Sequence, residues 1–342
     1  MASFSPSNLV AAQAKLQEQF TRNEWREKVL PTLALGIANG DPLIPEAKEI
    51  RTREDRTVYG YATKRTSSAV LTARTATHTG ARPDSYQIPF TWNTYARTFS
   101  VSLKMMDTNV FSFETALQTG IKNCILDIHS QIETDIVTQM LTYVNQNANT
   151  APIGTRVAWD GTNYAYQIAA GDKAQFYQLA KTCMQMNNYN EPSFDVIASS
   201  STFADATWYA SQGTGNYQNT QFQFAGMNPV LSTDLTDTAF PNGISLVMPS
   251  YSFAVIQWIP KQNRTGYGDY NSYTGGYGSM LDPMGTGLEF AVHGYSLRED
   301  NASYNSVQQD NTMQFEISVD IAIPIAPLST ANSSPIFKFA QL

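Results

Sequence analysis

The chain has 342 residues and is 42% hydrophobic, enough for one large composite domain or about two smaller ones. Its formal net charge of −7 argues against general nucleic-acid binding. Charged residues make up only 15% of it, against about 25% in typical domains, so the surface must be polar through Ser, Thr, Asn, Gln and Tyr, or covered by partners.

Residues 7–29 carry apolar residues at helical spacing (Leu9, Ala12, Leu16, Phe20, Trp25), with Pro31 as the stop. The Pro- and Gly-containing stretch 31–47 reads as an extended connector with turns. Residues 57–77 and 86–103 are rich in Val, Tyr, Phe and Thr and alternate as strands do. Gly80 and Pro83 signal a turn between them, and Pro89 signals an interruption or an edge. About 18 residues on each side, at about 3.3 Å per residue, could reach roughly 60 Å. A two-stranded arm of that length cannot bury its own faces in water, so something else must cover it.

This region is also basic. Residues 48–82 contain Lys48, Arg51, Arg53, Arg56, Lys64, Arg65, Arg74 and Arg82 against Glu49, Glu54 and Asp55, a net +5 that leaves −12 for the rest. A basic arm on an acidic body can attract a second copy of that body. A solvated basic face would give the same pattern.

Phe113, Leu117, Ile121, Cys124, Ile125, Ile128, Ile132, Ile136, Met140 and Val144 recur three or four apart, predicting one helix over 112–144. At 1.5 Å per residue it would be roughly 50 Å long. The spacing is not a sustained heptad, which favours a helix lying along a sheet over a coiled coil. Gly120 marks a bend or a close approach. Asp127, Glu133 and Asp135 are assigned to its polar surface.

Residues 145–171 read as loop, and Asp172 as the cap of a helix through Tyr189. A strand at 194–199 and a short helix from Ser201 follow, then strands at 229–232, 244–248, 252–258 and 288–297. The Gly/Tyr-rich run 263–279 reads as a long surface loop. Residues 313–325 alternate apolar and polar, predicting a strand with one buried face.

Little in the chain suggests catalysis or cofactor binding. His78, His129 and His293 fall in a turn, a helix and a strand, without metal-ligand spacing. No Walker loop, GxSxG elbow or HExxH helix occurs. Asp269, Asn271 and Tyr273 lack the glycine and terminal glutamate of a calcium loop. Catalytic, cofactor and metal sites are therefore all expected to be absent. Cys124 and Cys183 fall on apolar helix positions and are expected as buried free thiols. The N-terminus lacks a basic region followed by an apolar run, and no stretch of about 18 apolar residues occurs, so neither a secretory leader nor a membrane span is expected.

The order of elements is the remaining signal: an N-terminal arm, a long basic two-stranded loop, a long helix, an α/β region and a strong final strand. In this the chain resembles the major capsid proteins of tailed bacteriophages, the Hong Kong 97 type of shell fold shared with encapsulin compartments. The resemblance covers nearly the whole chain and rests on element order, without a diagnostic short motif. It implies an α+β fold with an N-terminal arm at 1–50 and an extended loop at 51–103. It further implies a peripheral domain at 104–150 and 301–342, built on a spine helix, and an axial α/β domain at 151–300 with an insertion loop near 263–279.

The implied partners are further copies of the chain as pentamers and hexamers, portal and scaffolding proteins, a decoration protein, and packaged DNA held non-specifically, in a virion assembled in the host cytoplasm. Candidate intersubunit contacts are Arg51, Arg53, Arg56, Lys64, Arg65, Arg74 and Trp92. A cross-link from Lys64 is not carried over, since no acidic catalyst or acceptor is identifiable. The competing readings are a carbohydrate-binding or carbohydrate-active β-rich protein, such as a tail component, and an encapsulin-type compartment shell.

Overall fold

The computed structural model describes residues 6–25, 27–44, 47–50, 53–57, 60–64, 84–88, 90–102, 113–151, 153–212, 226–260, 275–299, 310–325 and 334–342. The long apolar stripe forms helix α5, Phe113–Thr142, preceded by α1 (Pro6–Thr21), α2 (Pro31–Ala38), α3 (Gly40–Leu43) and α4 (Ala47–Ile50). Ile121, Ile125, Ile128, Ile132 and Ile136 of α5 are almost completely buried.

They face one side of an antiparallel sheet with strand order β10-β11-β12-β3. Its strands are β3 (Trp92–Ser102), β10 (Gly275–Leu281), β11 (Glu289–Glu299) and β12 (Asp310–Ala322), with β9 (Ile256–Trp258) alongside β12. The alternation in β12 explains this directly. Met313, Phe315, Ile317, Val319 and Ile321 turn inward, while Gln314, Glu316 and Ser318 remain on the open face.

A second, mixed sheet has the order β4-β5-β13-β8-β6-β7. It comprises β4 (Val157–Asp160), β5 (Ala165–Ile168), β6 (Phe194–Ala198), β7 (Met227–Leu231), β8 (Ile244–Pro249) and β13 (Phe337–Gln341). One face packs under α6 (Phe176–Met186), where Phe176, Ala180, Cys183 and Met184 meet Val196, Val247, Phe337 and Phe339. Its other face contributes Ile197, Ile244, Leu246, Met248 and Ala340 to the cluster centred on α5. Helix α7 (Ser200–Gln212) follows β6.

Several elements depart from the sequence reading. Helix α1 ends at Thr21, not near residue 29, because Asn23 adopts a left-handed φ of 57°. Trp25 then folds back edge-on against Phe20, with the Lys122 ammonium 4.9 Å above its ring. The connector at 31–47 is largely helical. Pro31 opens α2 at a position where its missing N–H costs nothing, rather than closing α1.

Residues 157–168, assigned to loop, form the β4–β5 hairpin. Asp160 accepts hydrogen bonds from the backbone N–H groups of Thr162 and Asn163 at its tip, the turn chemistry announced by Asp160-Gly161. Asp172 sits in a 3-10 turn (Ala170–Gln175) and does not cap α6. The last part of the Gly/Tyr-rich run is strand β10, while residues 261–274 lie outside the described residues.

The two-stranded loop is also different. β1 (Gly60–Lys64) pairs antiparallel with β2 (Asp84–Ile88) as a separate ribbon. Residues 92–102 instead pair along their whole length with β12. The run 86–103 is thus divided between Ile88 and Trp92, around Pro89, and the predicted turn at Gly80 and Pro83 lies outside the described residues. Residues 337–341, grouped by sequence with the spine helix, form β13 in the middle of the second sheet.

Gly120 is explained by close packing. A Cβ there would sit 2.3 Å from Cδ2 of Phe99, whose ring stacks 5.0 Å from Phe315. Gly120→Ala would gain about 1 kcal/mol in helix propensity but overpack a ring that cannot retreat, at a cost of about 1–3 kcal/mol. We expect a lower urea midpoint for Gly120→Ala and partial recovery on adding Phe99→Leu. An unchanged or raised midpoint for the single variant would refute the packing account.

Candidate assembly surfaces

Among the described residues the β1–β2 ribbon is a two-stranded sheet of its own, with buried positions at its root. Ile88 is buried and Gly60 lies close against it: a Cβ at Gly60 would be 3.2 Å from Phe90 and 3.3 Å from Ile88. One residue along, Tyr61 is 68% exposed. A two-stranded ribbon of five residue pairs is marginal in water by itself, which makes it a candidate surface for a partner.

Of the seven candidate contacts, Arg53, Arg56, Lys64 and Trp92 are among the described residues. Arg51, Arg65 and Arg74 lie outside the described residues. Lys64 ends β1, opposite Asp84 in register. Arg53 forms an exposed ion pair with Glu49 at 3.0 Å, while its carbonyl accepts the indole N–H of Trp258 at 3.3 Å. Arg56 is engaged within the chain. Its guanidinium donates to Asp320 Oδ2 at 2.9 Å and lies 6.0 Å from the centre of the Trp258 ring. Thr94 donates to the other oxygen of that carboxylate at 2.6 Å. Trp92 is half-buried against a small cluster of Ile44, Ala47, Ile50 and Ile256.

Arg53, Arg56 and Trp92 are therefore brought together as the root of the ribbon. Asp320, Thr94 and Trp258 complete that root and were missed. On an alternating strand, Asp320 reads only as one more polar-face residue.

The acids of α5 also separate. Glu133 is 4% exposed rather than solvated. Its Oε2 accepts the backbone N–H of Leu33 at 2.9 Å, and its Oε1 accepts the Ser232 hydroxyl at 3.1 Å. It thus caps α2 from 100 residues away and ties both to the segment after β7. Burial raises its pKa, opposed by the Ser232 and Leu33 hydrogen bonds. Asp135 accepts the Tyr95 hydroxyl at 2.6 Å, and burial pushes that phenol's pKa up, keeping it a donor. Asp127 remains exposed, 3.9 Å from Arg97.

His129 is buried, with Nε2 3.0 Å from Oδ2 of Asp282 in the turn between β10 and β11. That carboxylate also accepts the backbone N–H of Met284 and the hydroxyl of Thr286. The arrangement fixes the hairpin to α5. Both cysteines are free and buried, with burial raising the pKa of Cys124 to about 11 and that of Cys183 to about 12. Among the described residues no cluster of His, Cys, Asp and Glu could hold a metal, and no helix is long and apolar enough to cross a membrane.

No family model matches the chain, and no curated protein matches it by sequence. Solved structures do match. The cyanophage Pam1 capsid asymmetric unit superposes with a TM-score of 0.50 at 9% identity, covering 86% of this chain and 87% of that one. The chain has the fold of a phage capsid protein. A structure from Mycobacterium phage Che8 aligns over 92% of both chains at 11% identity, with a TM-score of 0.49. The capsid structure of cyanophage P-SCSP1u aligns over 83% of both at 12% identity and a TM-score of 0.42. The Pam1 superposition alone carries the fold assignment.

Substitutions at two positions test these charges. Glu133→Ala leaves the Leu33 N–H and the Ser232 hydroxyl without their acceptor and should lose about 1–3 kcal/mol in a denaturant titration. Glu133→Gln keeps an acceptor and should lose much less. Because folding raises this carboxyl's pKa, the native state binds more protons than the unfolded state between the two values. Wild-type stability relative to Glu133→Gln should therefore fall as pH rises from the ordinary carboxylate range through the raised value, then level off. A flat difference across that range would refute the assignment. Separately, Arg56→Glu places two carboxylates together at Asp320 and should lower the thermal midpoint of unassembled subunits. Unchanged subunit stability would show that this ion pair is dispensable.

Proposed function

We propose that this chain is a major capsid protein, a structural subunit that self-assembles into the icosahedral head shell of a tailed double-stranded DNA bacteriophage and encloses its genome. The supporting observation is the fold shared with the Pam1 capsid asymmetric unit over most of both chains. The β1–β2 ribbon, a separate two-stranded sheet among the described residues, is consistent with a subunit completed by its neighbours.

In this reading residues 1–50 are the N-terminal arm, and the ribbon is the core of an extended loop reaching a neighbouring subunit. Helix α5 is the spine of a peripheral domain with the β10-β11-β12-β3 sheet. The second sheet with α6 and α7 is the axial domain, meeting at five-fold and six-fold centres. Contacts come from many modest interactions repeated over identical copies. Arg51, Arg53, Lys64, Arg65 and Arg74 remain proposed intersubunit contacts, whereas Arg56 and Trp92 act first as the ribbon's root. No catalytic step belongs to this function. The partners are further copies as pentamers and hexamers, together with portal, scaffolding and decoration proteins and packaged DNA.

The full chain, expressed alone or with its neighbouring genes, should give megadalton particles in light scattering and closed shells in negative-stain microscopy. Particles purified from the native source should contain double-stranded DNA, and protein cargo instead would favour the compartment reading. A compact monomer under all assembly conditions would overturn the proposal.

A further inference from the structure

Helix α2 touches both bodies of the fold. At its N-terminus the Leu33 N–H donates to Glu133 of α5 at 2.9 Å, and the same carboxylate accepts the hydroxyl of Ser232, just after β7. In its middle the Gly36 carbonyl accepts the Val255 N–H at 2.8 Å, and a Cβ on Gly36 would sit 2.6 Å from Cγ2 of Val255. At its C-terminus the buried Asn39 faces Asp195 of β6, on the side of that strand that also carries Ile197 into the cluster around α5.

Each end of α2 thus meets a carboxylate largely withdrawn from water, and Asp195 is the less satisfied of the two. Its Oδ1 accepts the Ser250 hydroxyl at 3.4 Å, while its Oδ2 is buried and completes no hydrogen bond among the described residues, nor does Nδ2 of Asn39. An ionised oxygen in that position keeps the cost of leaving water. Glu133 has better partners, and the N-terminus of α2 favours its negative charge. Burial nevertheless outweighs these contacts and raises the pKa of both carboxyls.

The surroundings do not cancel this preference. Asp234 pushes Glu133 further in the same direction, and one of its own oxygens accepts the Thr134 hydroxyl. His129, one turn earlier on α5, is turned to Asp282. Helix α2 itself has no titratable side chain. Among the described residues the groups acting on Asp195 are neutral: the Ser250 hydroxyl, the Asn39 amide and the Tyr251 N–H.

We infer that α2 is a proton-sensitive clasp between α5 and the second sheet, closed most firmly when Glu133 and Asp195 are neutral and loosened when both are charged. Between the ordinary carboxylate range and the raised values, the docked helix binds more protons than the undocked one. Its docking is therefore strongest below the ordinary range and weakens as pH rises through the raised values. The clasp belongs to the single subunit and does not rest on the shell reading.

The test follows hydrogen exchange in the full chain as unassembled subunits, with rates corrected for the chemical effect of pH. Peptides covering 31–40 should lose about tenfold in protection between about pH 4 and about pH 8, while peptides from 121–136 of α5 change much less. Asp195→Asn and Glu133→Gln should each shrink that loss and together abolish it, with circular dichroism confirming folded subunits. Should the double variant fail to fold, the two single variants decide by the same criterion. Protection of 31–40 that stays flat with pH in the wild type would overturn the inference, as would a loss that persists in full in the folded variants. Neither result touches the shell reading, which stands or falls on particle formation.

Discussion

The structure depends on burying the isoleucine stripe of α5. Five isoleucines at helical spacing are almost completely removed from water, each contributing about 1.5–3 kcal/mol. The cluster they anchor takes in one face of the five-stranded sheet and one face of the second sheet. Neither sheet's inner face could stay dry without it. The stripe also limits what can sit beside it: Gly120 exists because Phe99, pinned against Phe315, occupies the space that a side chain would need.

Around this apolar centre, a few charged groups tie together segments far apart in sequence. Glu133 holds the N-terminus of α2, Asp282 holds His129 to the β10–β11 turn, and Asp320 holds Arg56 at the root of the ribbon. Each joins segments far apart in sequence, and each carboxylate is mostly buried. Removing one partner from such a pair leaves the other stranded, which makes these contacts matter more for uniqueness than for net stability.

What the sequence made legible follows from the range of each interaction. The period of α5 and the alternation of β12 are local patterns repeated many times, and both elements lie close to where those patterns put them. Helix α2 was hidden because its cap is Glu133, 100 residues away, so Pro31 read as a stop. Strand β13 was hidden because a short apolar run buried on both faces shows no alternation, and Lys338 interrupts it. That lysine is tolerated through its ion pair with Asp237 at 2.9 Å. The β4–β5 hairpin was readable in principle from Asp160-Gly161. Of the candidate contacts, composition could not single out Arg56, whose guanidinium is committed to Asp320 within the chain.

Strand β13 has a consequence in time. Residues 337–341 lie between β5 and β8, so until they are synthesised the second sheet exists only as two disconnected pieces, β4-β5 and β8-β6-β7. Lys338 pairs with Ala165 on one side and Leu246 on the other, closing loops of well over 50 residues in both directions. Both sheets thus wait for the last part of the chain, the first for β12 and the second for β13, and each is closed by a strand that pairs with partners far back in the sequence.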